Sequence, residues 1–549
     1  MPSPGIIMKN ILRKKIDKVV KELFKTEIRD YSIEIPPDDD FGDYSTNAAF
    51  ALSKKLGRNP KEIADKMVET LHATSLREIE KVEVAGGGFI NFFLDSSIYL
   101  KELNNILKEK GKYGSVSSKK SNIQVEFISA NPTGPLTVGN GRGGFGGDVL
   151  AKVLEKSGAK VRKEYYVNDA GRQVKMILAK SVRKSLGLNI DIVEGENIYG
   201  GEYIENVSRK IKKEKGIKWI EKNFEKTGEL ASKIILEDLI KKDIKSFGIK
   251  FDNWMSEKSF FSSGLIDKIW KKLTKDNLVY EQDGAYWLKT SKYGDDKDRV
   301  VKTTGGEFTY IMSDMAYLYD RFSIRKFYKA IIIVGADHHG YLGRWYAAAE
   351  ILGYKGKLEI LVTQLVRLIR NGQEMKMSKR QGNFITLKEV VDDIGIDAAR
   401  YFFISRDFNN HIDIDLDLAK EESNKNPVFY IQYASARIAS VLAKIKNKKE
   451  KIKNTNKKLK ISGFDKYELN LIRKLAQYPE LVKEVGESYQ VNKIAFYAFE
   501  LAEAFHKFYD NCRIIGDDKR DERLKILKAS KIVLENCLRL MGIEAKSKM

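Results

Sequence analysis

Apolar residues recur at helical spacing from Ile11 to Phe24 (ILRKKIDKVVKELF), which predicts an amphipathic helix near the N-terminus. NAAFALSKKL and PKEIADKMVETL predict two more, the second with Pro60 at its start, where a missing N–H costs nothing. VEVAGGGFINFFL reads as two strands broken by glycines. Together these elements make residues 1–112 a small α+β domain. The polar, glycine- and serine-rich KEKGKYGSVSSKKS (Lys108 to Ser121) reads as a linker to a second domain.

Beyond Ser121 the period changes. NIQVEFISA is a short apolar run of the kind buried in a parallel sheet. A glycine-rich turn comes next, then the helix GDVLAKVLEKSG and the strand KVRKEYYV. A second set has YKAIIIVGAD as a strand, GRWYAAAEILGY as a helix and LEILVTQLVRLI as a strand. Repeated strand–helix–strand units predict an α/β, doubly wound Rossmann-type core over residues 121–383. It is split by a lysine-rich insertion of helical character at about 181–287. Residues 384–549 read as almost wholly helical, and no repeat is visible.

Composition narrows the function. With 549 residues, 42% hydrophobic and 32% charged, the chain can bury several cores and is not disordered. Cys512 and Cys537 are too few for a disulfide framework or a four-cysteine zinc site. No apolar run reaches the ~18 residues of a membrane span. The N-terminus lacks the apolar core of a secretory signal, so a cytoplasmic location is expected. A net charge of +22 suits a polyanionic partner such as nucleic acid, although a lysine-rich surface bias would give the same number. The tract Lys444 to Lys460 holds nine lysines and one acid, and reads as a solvated loop or an RNA-facing segment.

Two stretches carry candidate chemistry. ANPTGPLTVGNGRGG (Ala130 to Gly144) has five glycines and two prolines between a strand and a helix. Backbone there can approach a ligand closely, and amides at the helix start suit a triphosphate. It is not a P-loop, so by itself it is a phosphate-binding turn or a plain tight turn. NGQEMKMSKRQGN (Asn371 to Asn383) presents Lys376, Lys379 and Arg380 around Met377 and Ser378. Cations beside a phosphate site would neutralise charge developing on a pyrophosphate.

Taken together, these stretches resemble the signatures of class I aminoacyl-tRNA synthetases, and specifically the arginyl-tRNA synthetase family. ANPTGPLTVGN stands where that family carries HIGH, and KMSKR matches KMSKS with Arg380 last. VEFISANPTGP, EYYVNDAGRQ, FTYIMSDMAY, IIIVGADHHGY and GIDAARYFFISR are similar to further blocks of the family, in order. FGDYSTNAAF and AGGGFINF resemble its additional N-terminal domain, and NPVFYIQYASARI the start of its anticodon-binding domain.

The resemblance implies roles residue by residue. Thr137, Gly139 and Asn140, with Lys376 and Lys379, would be catalytic. Asn131, Pro132, Thr133, Gly134, Gly141, Gly335, Asp337, His339, Met377, Ser378 and Arg380 would contact ATP. Glu126, Ser129 and Asn131 would hold arginine near its α-amino end, and Tyr310 and Asp314 its guanidinium, with His338 nearby. Carboxylates suit that last task because a guanidinium offers five donors in a planar fork. In a helix over YIMSDMAYLYDRF, Tyr310 and Asp314 share one face. The EYYVNDAGRQ block is read as shaping the wall of the site. No metal site is expected, since His338 and His339 lack partners at ligand spacing.

The signature departs from the family at two places: Thr137 and Asn140 stand where histidines are usual, and all five histidines lie elsewhere. Losing a donor that acts only at the transition state would cost ~10²–10³ in rate. Either these residues substitute competently or the chain is a non-catalytic RNA-binding relative; the intact Gly139, Gly141 and KMSKR favour the enzyme. A cysteinyl-type class I enzyme is disfavoured by missing zinc ligands. The implied reaction joins L-arginine to tRNA(Arg) through arginyl-adenylate, using ATP and Mg²⁺, with adenylate formation dependent on bound tRNA. A monomer is expected.

Overall fold

The computed structural model describes all residues except 1–3, 37, 74–77, 116–120, 192–195, 197, 376–384 and 448–463. At its centre lie five parallel strands, in the order Leu358–Thr363, Lys329–Gly335, Asn122–Glu126, Lys160–Val167 and Asn253–Ser256. Ala330 to Ile333 and Ile123 to Val125 are buried, as continuous apolar runs in a sheet covered on both faces must be. The first of these strands in the chain pairs with both the second and the fourth. The order therefore reverses between Asn122–Glu126 and Lys329–Gly335, which opens a crevice at their carboxyl ends.

The helix after the first strand runs Val138–Lys156 and so begins nine residues before the GDVLAKVLEKSG expected from the sequence. Glycine propensity argued for a turn there. Packing overrides it: a Cβ on Gly141 would lie 2.7 Å from Leu387 Cδ1 and from Phe403 Cε1, and one on Gly147 would run into Phe127. The helix is pressed between the sheet and helix Ile396–Ile404, and only glycine permits that approach.

Three other expectations change. The helices of 181–287 are interrupted after Ser246 by Asn253–Ser256, the edge strand of the central sheet, and resume at Lys258–Ser262 and Leu265–Lys275. Val279–Gln282 and Ala285–Leu288 join Arg299–Lys302 in a small antiparallel sheet. LEILVTQLVRLI makes two strands: Leu358–Thr363 in the central sheet, and Val366–Arg370, which pairs with Ile412–Asp415 inside the region expected to be helical. The described part of the Lys108–Ser121 linker is docked: Tyr113 is buried, donates to Glu102 Oε1 at 2.5 Å and stacks on Tyr478 at 6.1 Å.

Residues before that point form a four-stranded antiparallel sheet with helices Pro4–Phe24, Ala48–Leu56 and Pro60–Ala73. The chain ends in helices Pro427–Asn447, Lys466–Ala476, Tyr478–Ser488, Asn492–Asn511 and Arg520–Met541. Cys512 and Cys537 are buried and free. Among the described residues, no helix is long and apolar enough to cross a membrane.

Candidate active site

The first strand of the central sheet ends at Glu126, and the chain turns sharply. Ser129 N–H donates to Phe127 O at 2.9 Å around Ile128, whose φ of 67° is a strained value for a β-branched residue. Such strain persists where surroundings impose it, often at functional sites. Ser129 Oγ accepts from Tyr166 N–H at 3.0 Å and donates to Glu126 Oε1 at 3.1 Å. Glu126 is buried beneath the site and paired with Arg321. Burial pushes its pKa up, opposed by Arg321.

Asn131 is exposed and donates to Gln173 Oε1 at 2.9 Å; Pro132 is buried; Thr133 O accepts from the Tyr203 hydroxyl at 3.1 Å, beside Gly134. Thr137 caps helix Val138–Lys156. Asn140 Oδ1 accepts from Thr137 N–H at 2.9 Å and from its hydroxyl at 3.1 Å. Gly139 is exposed beside this cap, while Gly141 is buried. The helix thus presents its first amides and its positive dipole end to the crevice, a ready anion site.

A second helix start, supplied from far along the chain, lies against the first. Leu387 N–H donates to Leu136 O at 2.9 Å, and Thr386 forms an antiparallel bridge with Thr137. Thr386 caps helix Leu387–Ile394 through a reciprocal pair with Glu389, whose Oε2 accepts from Thr386 N–H at 2.7 Å. Lys376, Met377, Ser378, Lys379 and Arg380 lie outside the described residues. The chain on either side of them is placed: Met375 N–H donates to Leu368 O at 2.9 Å, and Thr386 meets the first signature at Thr137.

Across the crevice, helix Tyr310–Tyr319 carries Tyr310 and Asp314 one turn apart. Tyr310 is 58% exposed, so it is no core residue, and its hydroxyl lies 3.3 Å from where a Cβ on Gly171 would stand. Asp314 Oδ2 accepts from Trp345 Nε1 at 3.0 Å and lies 3.6 Å from Arg344. Burial pushes the Asp314 pKa up, against the pull of Arg344 and Trp345. His338 stacks on Trp345 at 6.0 Å, which puts it in the same cluster. Gly335 ends its strand, with Asp337 and His339 exposed just beyond it.

Glu257 was not singled out from the sequence. It comes directly after the edge strand and is buried, and among the described residues its Oε2 has no hydrogen-bond partner. Burial pushes its pKa up to about 7, with Asp314 and Asp169 adding to the rise and Ser313 opposing it. Glu257 therefore adds a second, buried acid close to Asp314. The strand that positions it, Asn253–Ser256, is four residues long and lacks alternation, so no sequence signal marked it.

A helix start at the switch point of a doubly wound sheet, met at Thr137 by a second helix start at Thr386 from the far half of the chain, is the arrangement of a class I aminoacyl-tRNA synthetase core. Residues 102–415 match the family described as tRNA synthetases class I (R), catalytic domain. Residues 10–94 match the arginyl tRNA synthetase N terminal domain, and 431–549 the DALR anticodon binding domain. Arginine–tRNA ligase 1 of Halalkalibacterium halodurans is 39% identical over 555 residues, covering 99% of both chains. The arginine–tRNA ligase of Bacillus subtilis is 39% identical over 557 residues, again covering 99% of both. The arginyl-tRNA synthetase of Thermus thermophilus shares the fold, with a TM-score of 0.79 at 22% identity over 98% of this chain and 100% of that one. The chain belongs to the arginyl-tRNA synthetase family.

Proposed function

We infer that the chain attaches arginine to tRNA(Arg) in two steps, and that the residues of the crevice divide the work. The arginine carboxylate attacks the α-phosphorus of ATP, forming arginyl-adenylate and releasing pyrophosphate. The terminal ribose hydroxyl of tRNA then attacks the activated carbonyl, releasing AMP. Catalysis of this kind is mainly positioning and electrostatics. The observation that carries the reading is that the helix start capped by Thr137 and Asn140 lies at the switch point of the sheet, with two acids on neighbouring elements, Asp314 half-buried beside Arg344 and Trp345 and Glu257 fully buried.

Gly139, Gly141 and the amides beside Asn140 cradle the ATP phosphates, with Asn131, Thr133 and Gly134 on the preceding loop. Lys376 and Lys379 stabilise the pyrophosphate, as their match to the family signature implies. Asp314 and Glu257 take the guanidinium, Tyr310 closes over it, and Ser129 and Asn131 stand toward the α-amino end. Glu126, paired with Arg321, supports that end from below. Asp337 is the exposed carboxylate that can face Mg²⁺ carried on the ATP phosphates; phosphates with one or two carboxylates are the usual set for that ion. Substrates such as tRNA and ATP fit a cytoplasmic enzyme, and one chain carries every residue named, so a monomer suffices.

The test is charging of total tRNA with each radiolabelled amino acid in the presence of ATP and Mg²⁺. Charging with arginine alone, lost in Asp314→Ala, supports the reaction and the pocket together. Tight tRNA binding without charging by any amino acid favours the non-catalytic reading instead.

A further inference from the structure

The helix that carries Tyr310 and Asp314 continues past them. Tyr310, Asp314, Tyr317 and Arg321 follow at intervals of four, three and four residues, the spacing of one helix face. Helix Tyr310–Tyr319 passes into a π-helical turn at Asp320–Ile324, where Arg325 N–H donates to Asp320 O. Such turns are rare and concentrate at functional sites.

This turn brings two arginines to two buried acids. Glu126 and Glu164 are register partners on adjacent parallel strands, so their side chains share one face of the sheet. Two bare carboxylates placed side by side would repel. Arg325 takes Glu164, donating to Oε2 at 2.5 Å and to Oε1 at 2.9 Å, and Arg321 takes Glu126. Arg321 is 2% exposed, and its guanidinium stands 3.5 Å from the centre of the Tyr317 ring. The Tyr317 hydroxyl in turn donates to Glu164 Oε1 at 2.5 Å.

The two acids differ in what they have left to offer. Glu164 is met by Gln124 and by Asn253 as well, and is saturated. Burial alone would raise its pKa, but Arg325, Tyr317 and Asn253 hold it below the ordinary value. Glu126 ends its strand at the crevice with two donors, Arg321 and the Ser129 hydroxyl at 3.1 Å, where a carboxylate has room for about four. Burial pushes its pKa up, Arg321 opposes the rise, and Glu164 adds to it. Tyr317 and, on the neighbouring strand, Tyr166 are the other titratable groups close by. Without Arg321 the same burial would leave Glu126 protonated near neutral pH, a donor where an ammonium needs an acceptor.

We propose that Arg321 is a positioning residue for the α-amino end of arginine, holding Glu126 in place as the acceptor for that ammonium. The proposal rests on the arginylation reading, which puts the ammonium beside Glu126 and the guanidinium at Asp314. One helical stretch then governs both ends of the substrate, directly at Asp314 and through Glu126 at Arg321.

The full-length chain and its variants are titrated calorimetrically with arginine and with 5-guanidinopentanoic acid, which is arginine without its α-amino group. Arg321→Met weakens arginine about ten- to a hundredfold and the analogue less than about threefold, and Arg321→Lys recovers most of the loss. In charging, the loss falls on KM for arginine and not on KM for ATP. In Arg321→Met the ratio of the two Kd values, arginine over analogue, falls as pH rises from about 6 to 8.5 and Glu126 ionises, while the wild-type ratio stays flat. Both ligands carry the guanidinium, so any titration of Glu257 cancels in that ratio. Should Arg321→Met fail to fold with Glu126 buried and unpaired, Arg321→Met combined with Glu126→Gln removes both charges. That double variant shows the same selective loss of arginine as Glu126→Gln alone. Equal weakening of both ligands would make Arg321 a part of the fold and nothing more, and unchanged arginine affinity would remove it from the site; either overturns the proposal. Wild-type charging with arginine, measured alongside, shows whether the failure belongs to this inference or to the arginylation reading.

Discussion

Asn140 Oδ1 takes both polar hydrogens of Thr137, the backbone N–H at 2.9 Å and the hydroxyl at 3.1 Å. The two positions that lack the family's histidines are therefore bonded to each other, as a neutral cap on helix Val138–Lys156. A cap of this kind fixes the helix start and leaves the Asn140 amide N–H₂ as a donor.

Thr137→Ala should cost about 1 kcal/mol of stability by removing one partner of the cap, read from denaturant midpoints. Asn140→Ala should lower the rate of adenylate formation by ~10²–10³ through loss of a transition-state donor. The double change Thr137→His with Asn140→His should alter wild-type charging by less than about tenfold, since the neutral pair is already competent. A rise of several orders of magnitude would instead promote the non-catalytic reading.

Glu257 and arginine affinity should be linked through pH. Burial pushes the Glu257 pKa up to about 7 from 4.5, so the free enzyme holds a proton there at about pH 6. A bound guanidinium favours the ionised form, and binding at low pH must release that proton. KM for arginine should therefore fall as pH rises from about 5.5 to 7.5 and level off above it. Glu257→Gln should raise KM and flatten the profile. The same raised pKa makes this group's contribution to folding decline as pH rises from the unfolded value through about 7. An unchanged profile in Glu257→Gln would remove Glu257 from the pocket.

Gly141→Ala tests how tightly the signature helix is seated. The added methyl would lie 2.7 Å from Leu387 Cδ1 and Phe403 Cε1, both on buried residues. Overpacking should cost about 1–3 kcal/mol and displace the helix start, lowering kcat more than the loss of folded protein explains. Charging normalised to folded fraction checks it.

Local order decided what could be read from the chain alone. The strand–glycine–helix stretch at Ala130 to Gly144 and the one-turn spacing of Tyr310 and Asp314 are short-range patterns, and the structure forms a helix at each. The length of helix Val138–Lys156 was hidden because its glycines answer to Leu387, Phe403 and Phe127, which are distant in sequence. Glu257 was hidden because its neighbours Asp314 and Ser313 come from another element. The strand Ile412–Asp415 gave alternation too brief to stand against a helical setting.

Arg400 joins three parts of the molecule that the sequence keeps apart. Its guanidinium donates to Asp148 Oδ2 at 3.0 Å, to Met541 O at 2.9 Å and to Phe247 O at 2.7 Å. Burial alone would push Asp148 up, but Lys152, Arg400 and Lys163 together hold it below the ordinary carboxylate range. Arg400→Leu should cost about 3–5 kcal/mol, because it removes one partner of a buried pair and orphans two carbonyls. The sign for Asp148 is opposite to that for Glu257: a lowered pKa gives stability that is present above the unfolded value and lost as pH falls through the folded one. Acid unfolding of Asp148→Asn should thus show a shallower fall below about pH 4 than the wild type. Because Met541 ends the last helix and Asp148 lies in the signature helix, Arg400→Leu should also weaken charging more than it weakens tRNA binding. Equal losses in both would mean that the arginine only holds the fold together.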